Sequence, residues 1–194
     1  DSTNLWGKRV WKEEGAKHGE LFVAEYQSAG RGRFTRRWSA PPDSAITMSI
    51  LICPEFSPMK APMLTLVMGL SVAQAVADLG LDVGIKWPND VVVSRKKICG
   101  ILTEMTMKQD KIGCAVIGVG INVNMDSFPE ETADKATSLY LESGHVFDRA
   151  EVVGLVMKHF EENYEKFVQT EDLSELKADY EKLLANLNQP VRVL

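Results

Sequence analysis

Residues Ile98–Met107 read ICGILTEMTM, and residues Ile112–Asn124 read IGCAVIGVGINVN. Between them stands Lys108-Gln109-Asp110-Lys111, a short polar turn. Two long runs rich in Ile and Val, joined by so short a link, predict two neighbouring strands. Further strands follow outward from this pair. Upstream, Val91 to Val93 reads as a strand linked to Ile98 by the hairpin turn Ser94-Arg95-Lys96-Lys97, and Val83 to Trp87 as another, closed by Pro88-Asn89-Asp90. Glu20 to Gln27 and Thr47 to Ile52 complete the set, separated by an Arg/Gly segment and the turn signal Ala40-Pro41-Pro42-Asp43. Helices are expected over Asn4 to Glu14, capped by Ser2 or Thr3, and over Met63 to Leu79, Arg149 to Thr170 and Leu173 to Leu187. Pro54 to Pro62 and the acidic stretch Met125 to Thr137 read as loops. Adjacent strands flanked by helices predict an α/β (α+β) fold with a mixed, largely antiparallel sheet rather than strict βαβ alternation.

The 194 residues suit one domain, or one domain and a fragment of another. Hydrophobic residues at 45% allow a substantial core. A net charge of −5 argues against bulk electrostatic attraction to nucleic acid, so no nucleic-acid partner is expected. Cys53, Cys99 and Cys114 have no C-x-x-C spacing and sit among apolar neighbours, which predicts reduced, buried thiols in a cytoplasmic protein. No signal-like segment opens the chain. The most apolar stretch, Met63 to Leu81, is interrupted by Thr65, Ser71, Gln74 and Asp78, so a buried helix is expected there and no membrane partner. His18, His145 and His159 are scattered without metal or triad spacing.

Against this acidic background, Ser28 to Trp38 reads SAGRGRFTRRW, with four arginines and two glycines. A dinucleotide-binding reading of Gly30-x-Gly32-x-x fails, because Thr35 holds the third glycine position and Arg-Arg-Trp-Ser-Ala-Pro-Pro cannot open a good helix. Gly118-Val119-Gly120 fails likewise, since more strand follows. No G-x-x-x-x-G-K-[ST] occurs. What remains is a strand end carrying a loop of guanidinium groups. Such groups grip phosphate or carboxylate bidentately, glycines admit a ligand close to the backbone, and Trp38 offers a flat face to a base. A solvated basic loop and an RNA-binding tail are the other readings that spacing alone leaves open. Lys86-Trp87-Pro88-Asn89-Asp90 puts a cation, an aromatic and two polar side chains at a strand end, where turns commonly carry site residues; a core plug with turn amides satisfied by Asn89 and Asp90 reads equally well. Lys97 with Gly100 three residues on would let a ligand lie over the backbone within reach of the ammonium; a charged hairpin is the alternative.

In order along the chain, these stretches resemble the biotin protein ligase family, also called biotin–[acetyl-CoA-carboxylase] ligase. Asp1-Ser2-Thr3-Asn4 resembles its D-S-T-N opening, and Ala24 to Arg33, AEYQSAGRGR, its A-E-x-Q-x-A-G-R-G-R signature. Lys86 to Asp90 is similar to its K-W-P-N-D, and Lys97 to Glu104 to its K-x-x-G-I-L-x-E. Gly118 to Asn124 is similar to its G-x-G-I-N-x-N, and Ala136 to Leu139 to its A-T-S-L. The resemblance covers nearly the whole chain. It departs at Thr35, where the family usually has glycine; a β-branched residue is strained at positive φ, which bears on how the loop closes.

The resemblance implies a fold related to class II aminoacyl-tRNA synthetases, with residues 1–187 as the catalytic domain and 188–194 as a linker and the truncated start of an SH3-like domain. It implies ATP-dependent formation of biotinyl-5′-AMP and transfer of biotin to a lysine of a biotin carboxyl carrier domain. Biotin and ATP with Mg²⁺ are the implied substrates and cofactor, the carrier domain the implied partner, and a homodimer a further expected one. Lys97, Arg33 and Arg31 would be catalytic. Ser2, Thr3, Asn4, Gln27, Gly30, Arg31, Lys97, Gly100, Gly118 and Gly120 would form the biotin slot. Arg33, Arg36, Trp38, Lys86, Asn89 and Asn122 would hold the nucleotide, and Asp90 would meet the metal on its phosphates. The loop Gly30 to Ser39 would open for substrates and then shield a water-labile anhydride. The rival readings are a lipoate or octanoate ligase or transferase of the same fold, and a non-catalytic biotin-sensing or nucleic-acid-binding module.

Overall fold

The structure, a computed structural model, describes residues 1–189. Six strands form one sheet: β1 (Glu20–Ala24), β2 (Ala45–Ile52), β3 (Val83–Lys86), β4 (Asp90–Val93), β5 (Lys96–Lys108) and β6 (Lys111–Asn122). Their order is β1-β2-β6-β5-β4-β3. Every neighbouring pair is antiparallel. The long β5–β6 hairpin therefore sits in the middle, as its two apolar runs and polar turn require. The only parallel links among the described residues are two single bridges, Ile85 with Leu184 and Lys97 with Ala136.

Strand alternation gives the two faces different chemistry. On one face Ile46, Met48, Ile50 and Ile52 of β2 and Ile117, Val119 and Ile121 of β6 enter the main core. There they meet α2 (Met63–Asp78) and α5 (Arg149–Thr170). α2 lies in the only segment among the described residues long and apolar enough to cross a membrane, but Leu64, Val67, Met68 and Leu70 are wholly buried in the protein core. α5 starts where expected, its Asp148 cap accepting from the Ala150 amide at 2.7 Å. It buries Val152, Val156, Phe160 and Phe167, a stripe at helical spacing. α6 is Lys177–Leu183, shorter than the periodicity predicts. The Asp172 carboxylate accepts from the Ser174 amide at 2.8 Å, a local turn that competes with helix.

The other face carries a small cluster of Phe22, Leu51, Cys114 and Val116 under α1 (Thr3–Glu13), which is capped by Ser2. α1 lies mainly over β1, β2 and β6 and reaches the edge of β5 through Asn4 and Lys8. The rest, over β6 and β5, is left for the site. The acidic stretch after β6 contains α3 (Glu130–Ala133), and α4 (Leu139–Ser143), which the sequence reading did not resolve, follows it. Cys99 and Cys114 are buried and burial pushes both thiols up, but Cys53 stands just past the end of β2 and is only half-buried. Val191 to Leu194, read as the start of another domain, lie outside the described residues.

Candidate active site

Two cross-strand rows make the floor. One runs Thr47, Gly120, Gly100, Asp90, Lys86 across β2, β6, β5, β4 and β3. The next runs Ser49, Gly118, Leu102. Glycine at three of these positions leaves a bare patch of backbone on the open face. A Cβ on Gly120 would lie 2.3 Å from Cε2 of Trp38, and one on Gly100 2.9 Å from Nζ of Lys97. The indole of Trp38 thus rests directly on β6, and the ammonium of Lys97 arches over Gly100. A Cβ on Gly118 would meet Oδ1 of Asn4 at 2.2 Å, so that gap is filled by the protein's own amide.

The roof is the Arg/Gly segment, folded as a miniature hairpin. Trp38 N donates to Gly30 O at 3.1 Å and Gly32 N to Arg36 O at 2.8 Å, with Arg31 and Arg37 bridged. Gly30 is obligatory at its base, because a Cβ there would strike the Trp38 carbonyl oxygen at 2.2 Å. The tip turns through Phe34 at φ +51° and Thr35 at φ +64°. The position where the family has glycine is therefore left-handed, and threonine is strained there.

Between floor and roof lies a cavity of about 210 Å³. Ser2, Thr3, Asn4, Gln27, Arg31, Arg33, Arg36, Trp38, Asn89, Asp90, Lys97, Gly100, Gly118 and Gly120 all line it. Of the residues singled out in the sequence, Gly30, Lys86 and Asn122 do not. Gly30 is buried at the hairpin base, and Lys86 is exposed at the end of β3. Asn122 is buried and donates to the Thr137 carbonyl at 3.0 Å. That contact anchors residues 135–137, whose backbone pins Lys97 on both sides: Lys97 N to Lys135 O at 2.8 Å and Thr137 N to Lys97 O at 3.0 Å.

Each of the cations Arg33, Lys97 and Arg31 is held by a polar partner. Arg33 donates to Asn89 Oδ1 at 2.9 Å, and Asn89 in turn bonds β5 through Ile101. That turn runs through a cis Trp87–Pro88 bond. Lys97 pairs with Asp90 at 2.6 Å, and Arg31 with Glu104 at 3.2 Å. Arg31, Arg33 and Lys97, read from separate turns, thus converge on one cavity.

The inner end is a polar chain. Asn4 Oδ1 can only accept, so the Ser49 hydroxyl donates to it at 2.6 Å. The Thr3 hydroxyl stands 2.7 Å from Ser49 and 3.1 Å from Gln27 Oε1, which also accepts the Thr3 amide at 2.8 Å. Asn4 Nδ2 donates to Leu102 O and Glu104 Oε2. Glu104 and Ser49 were not singled out from sequence as site residues. Glu104 also pairs with Lys8 at 2.9 Å. Burial pushes its carboxyl up, but Lys8, Asn4 and Arg31 outweigh this and hold it below the usual carboxylate range.

This geometry can be set beside known proteins. A model of the biotin/lipoate A/B protein ligase family matches residues 1–122, which hold α1, the whole sheet and all the cavity-lining residues. The chain belongs to that family. Within it, a bifunctional ligase/repressor BirA from Bacillus spizizenii is 42% identical over 156 residues, covering 79% of this chain and 48% of its own length. A biotin–[acetyl-CoA-carboxylase] ligase from Paracoccus denitrificans is 32% identical, covering 82% of this chain and 68% of its own. Among solved structures, the biotin protein ligase from Aquifex aeolicus in complex with biotin and ATP superposes with a TM-score of 0.79 at 36% identity, over 95% of this chain and 75% of that one. The chain spans about half the length of the BirA relatives it matches. The biotin protein ligase fold, with its antiparallel sheet and flanking helices, is thus common to this chain and these relatives.

Proposed function

We propose that this chain is the biotin- and ATP-binding catalytic part of a biotin protein ligase. In the first step a biotin carboxylate oxygen attacks the α-phosphorus of ATP. The bond to pyrophosphate breaks, and biotinyl-5′-AMP forms. In the second step the amine of a carrier-domain lysine attacks the acyl carbon, AMP leaves, and the amine loses a proton.

The observation that carries this reading is the meeting of Arg33 and Lys97 over the glycine floor of one cavity. A carboxylate is already nucleophilic at neutral pH and AMP is a good leaving group, so little acid–base work is required. Two anions must instead be brought together. Fixed cations in a partly enclosed site stabilise that approach and the charge that develops. Lys97, above Gly100, suits the junction of carboxylate and α-phosphate. Arg31 and Arg33 close from the roof, Arg36 and Trp38 serve the nucleotide side, and Ser2, Thr3 and Gln27 supply polar contacts at the inner end.

Asp90 fits a resident metal poorly, since its carboxylate is already paired with Lys97 and the described residues contain no cluster of three potential ligands. Mg²⁺ then belongs with the triphosphate as part of the substrate.

Incubation of the chain with ATP, Mg²⁺ and either biotin or lipoate tests the reading. Pyrophosphate release and recovery of bound biotinyl-AMP by mass spectrometry are expected with biotin. Activation of lipoate instead of biotin assigns the site to the lipoate branch, and activation of neither overturns the catalytic reading.

A further inference from the structure

Glu104 is an acid in the middle of the sheet, on the same face as Gly100 and Leu102. Its side chain is only 17% exposed. One oxygen, Oε1, is shared by two cations from different elements: Lys8 Nζ of α1 at 2.9 Å and Arg31 Nη1 of the roof hairpin at 3.2 Å. The other, Oε2, accepts from Asn4 at 2.9 Å, and Asn4 is the amide seated on Gly118. One carboxylate thus joins the roof, the first helix and the inner end of the cavity.

We infer that Glu104 is a positioning residue for the roof: it holds Arg31 in the closed hairpin, and Lys8 is the competing cation that keeps the carboxylate paired when the hairpin lifts. The reason lies in what each partner leaves behind. A largely buried carboxylate stripped of its only cation is strongly destabilising. Were Arg31 alone on Glu104, every opening would create that state. With Lys8 on the same oxygen, opening removes one ion pair, to a half-exposed guanidinium, and leaves an ammonium and an amide in place. Lys8 and Arg31 also repel each other across Oε1, which weakens the closed state further. The pair sets how long the roof stays down. The inference rests on the proposed function only in taking the adenylate as what the roof covers.

Loss of Glu104 and loss of its partner Lys8 predict changes of opposite sign, which a merely structural network does not. In the ligand-free chain, trypsin nicking between Arg31 and Arg37, mapped by mass spectrometry, reports roof opening. Glu104→Gln is expected to raise that rate about threefold, by loss of an ion pair to a half-exposed guanidinium. Lys8→Met is expected to lower it by about threefold, since opening then leaves the carboxylate without a cation. Release of preloaded biotinyl-AMP should change in the same two directions. Equal rates, or a shift of both variants in one direction, overturn the inference. If Glu104→Gln does not fold, Lys8→Met decides alone: slower nicking supports the latch, and faster or unchanged nicking sinks it. Expected nicking without any biotinyl-AMP formed by the wild type keeps the latch and removes the biotin-activating reading. Biotinyl-AMP formed with unaltered nicking does the reverse.

Discussion

Lys97 stands over a strand position that has no side chain, and its ammonium takes the volume that a Cβ on Gly100 would need. Removing that charge should slow the joining of two anions far more than the capture of one ligand. Lys97→Ala is expected to reduce pyrophosphate release by about 10²–10³-fold, the scale for one preorganised donor, with biotin affinity in titration changed much less. A comparable fall in both would make Lys97 a general binding residue. At the roof tip, Thr35 holds φ +64°. Left-handed backbone costs a branched residue about 1–2 kcal/mol, whereas glycine's extra freedom in the open state costs about 0.5–1 kcal/mol. The first effect is larger, so Thr35→Gly should favour the closed hairpin and slow its tryptic nicking by about threefold. Faster nicking would mean that chain freedom dominates. The cations were legible one residue at a time, because arginine and lysine clustered at turns of an acidic chain ask for an anion. Glu104 and Ser49 were not: a carboxylate or hydroxyl within a strand run reads as a solvent-facing position until its neighbours are known.

The site exists because two antiparallel strands, β5 and β6, place their glycines in register. Gly120 and Gly100 are cross-strand partners, and Gly118 lies one row away opposite Leu102. Trp38 packs directly on Gly120, with no room for a methyl group. Gly120→Ala should therefore lift the indole from the floor without disturbing the main core, which lies on the opposite face. The expected outcome is a red-shifted, more readily quenched Trp38 emission in a variant whose other three tryptophans are replaced by phenylalanine, with adenylate yield reduced about tenfold or more. Unaltered fluorescence would show that the ring is not seated there. Element positions were largely readable: the hairpin at 98–124, α2 and α5 follow from run length, polar turns and helical spacing. α4 was not, because a helix of five residues leaves no periodicity to detect. The role of Ala136–Leu139 was hidden for a different reason. It acts as a strut, bonding Lys97 through Thr137 and capping α4 with Ser138.

Over the whole molecule the net charge is −5, yet the cavity gathers Arg31, Arg33, Arg36 and Lys97 on one face. Two carboxylates, Glu104 on Arg31 and Asp90 on Lys97, hold two of these cations before any ligand arrives, and the Asn89 amide holds Arg33. Glu104 titrates below its ordinary value in the folded chain. A depressed carboxyl contributes stability that is fully present above its unfolded value of about 4.3 and is lost as pH falls through the lower, folded value. Urea midpoints measured from pH 7 down to pH 3 should decline, and the Glu104→Gln protein should show a shallower decline over the acid end of that range. An identical slope in both would assign acid sensitivity to other carboxylates. Among these, Glu25 is also lowered, by its hydrogen bond to Arg149, but it is exposed and screened.

What the amino-acid order determined by itself was the strands of the sheet, the longer helices, and the identity of the cations that an anionic substrate would need. Those depend on local propensity, on the alternation of apolar residues, and on charge that has no partner nearby in sequence. Only the tertiary structure decided that Lys97 and Arg33 share a cavity, that Trp38 lies on Gly120, and that Glu104 takes Lys8 and Arg31 on one oxygen. Each of these is set by strand register and by the path of the roof hairpin. They join residues from 64 positions apart (Arg33 and Lys97) to 96 (Lys8 and Glu104), or fix a single oxygen between two elements, which no local pattern encodes.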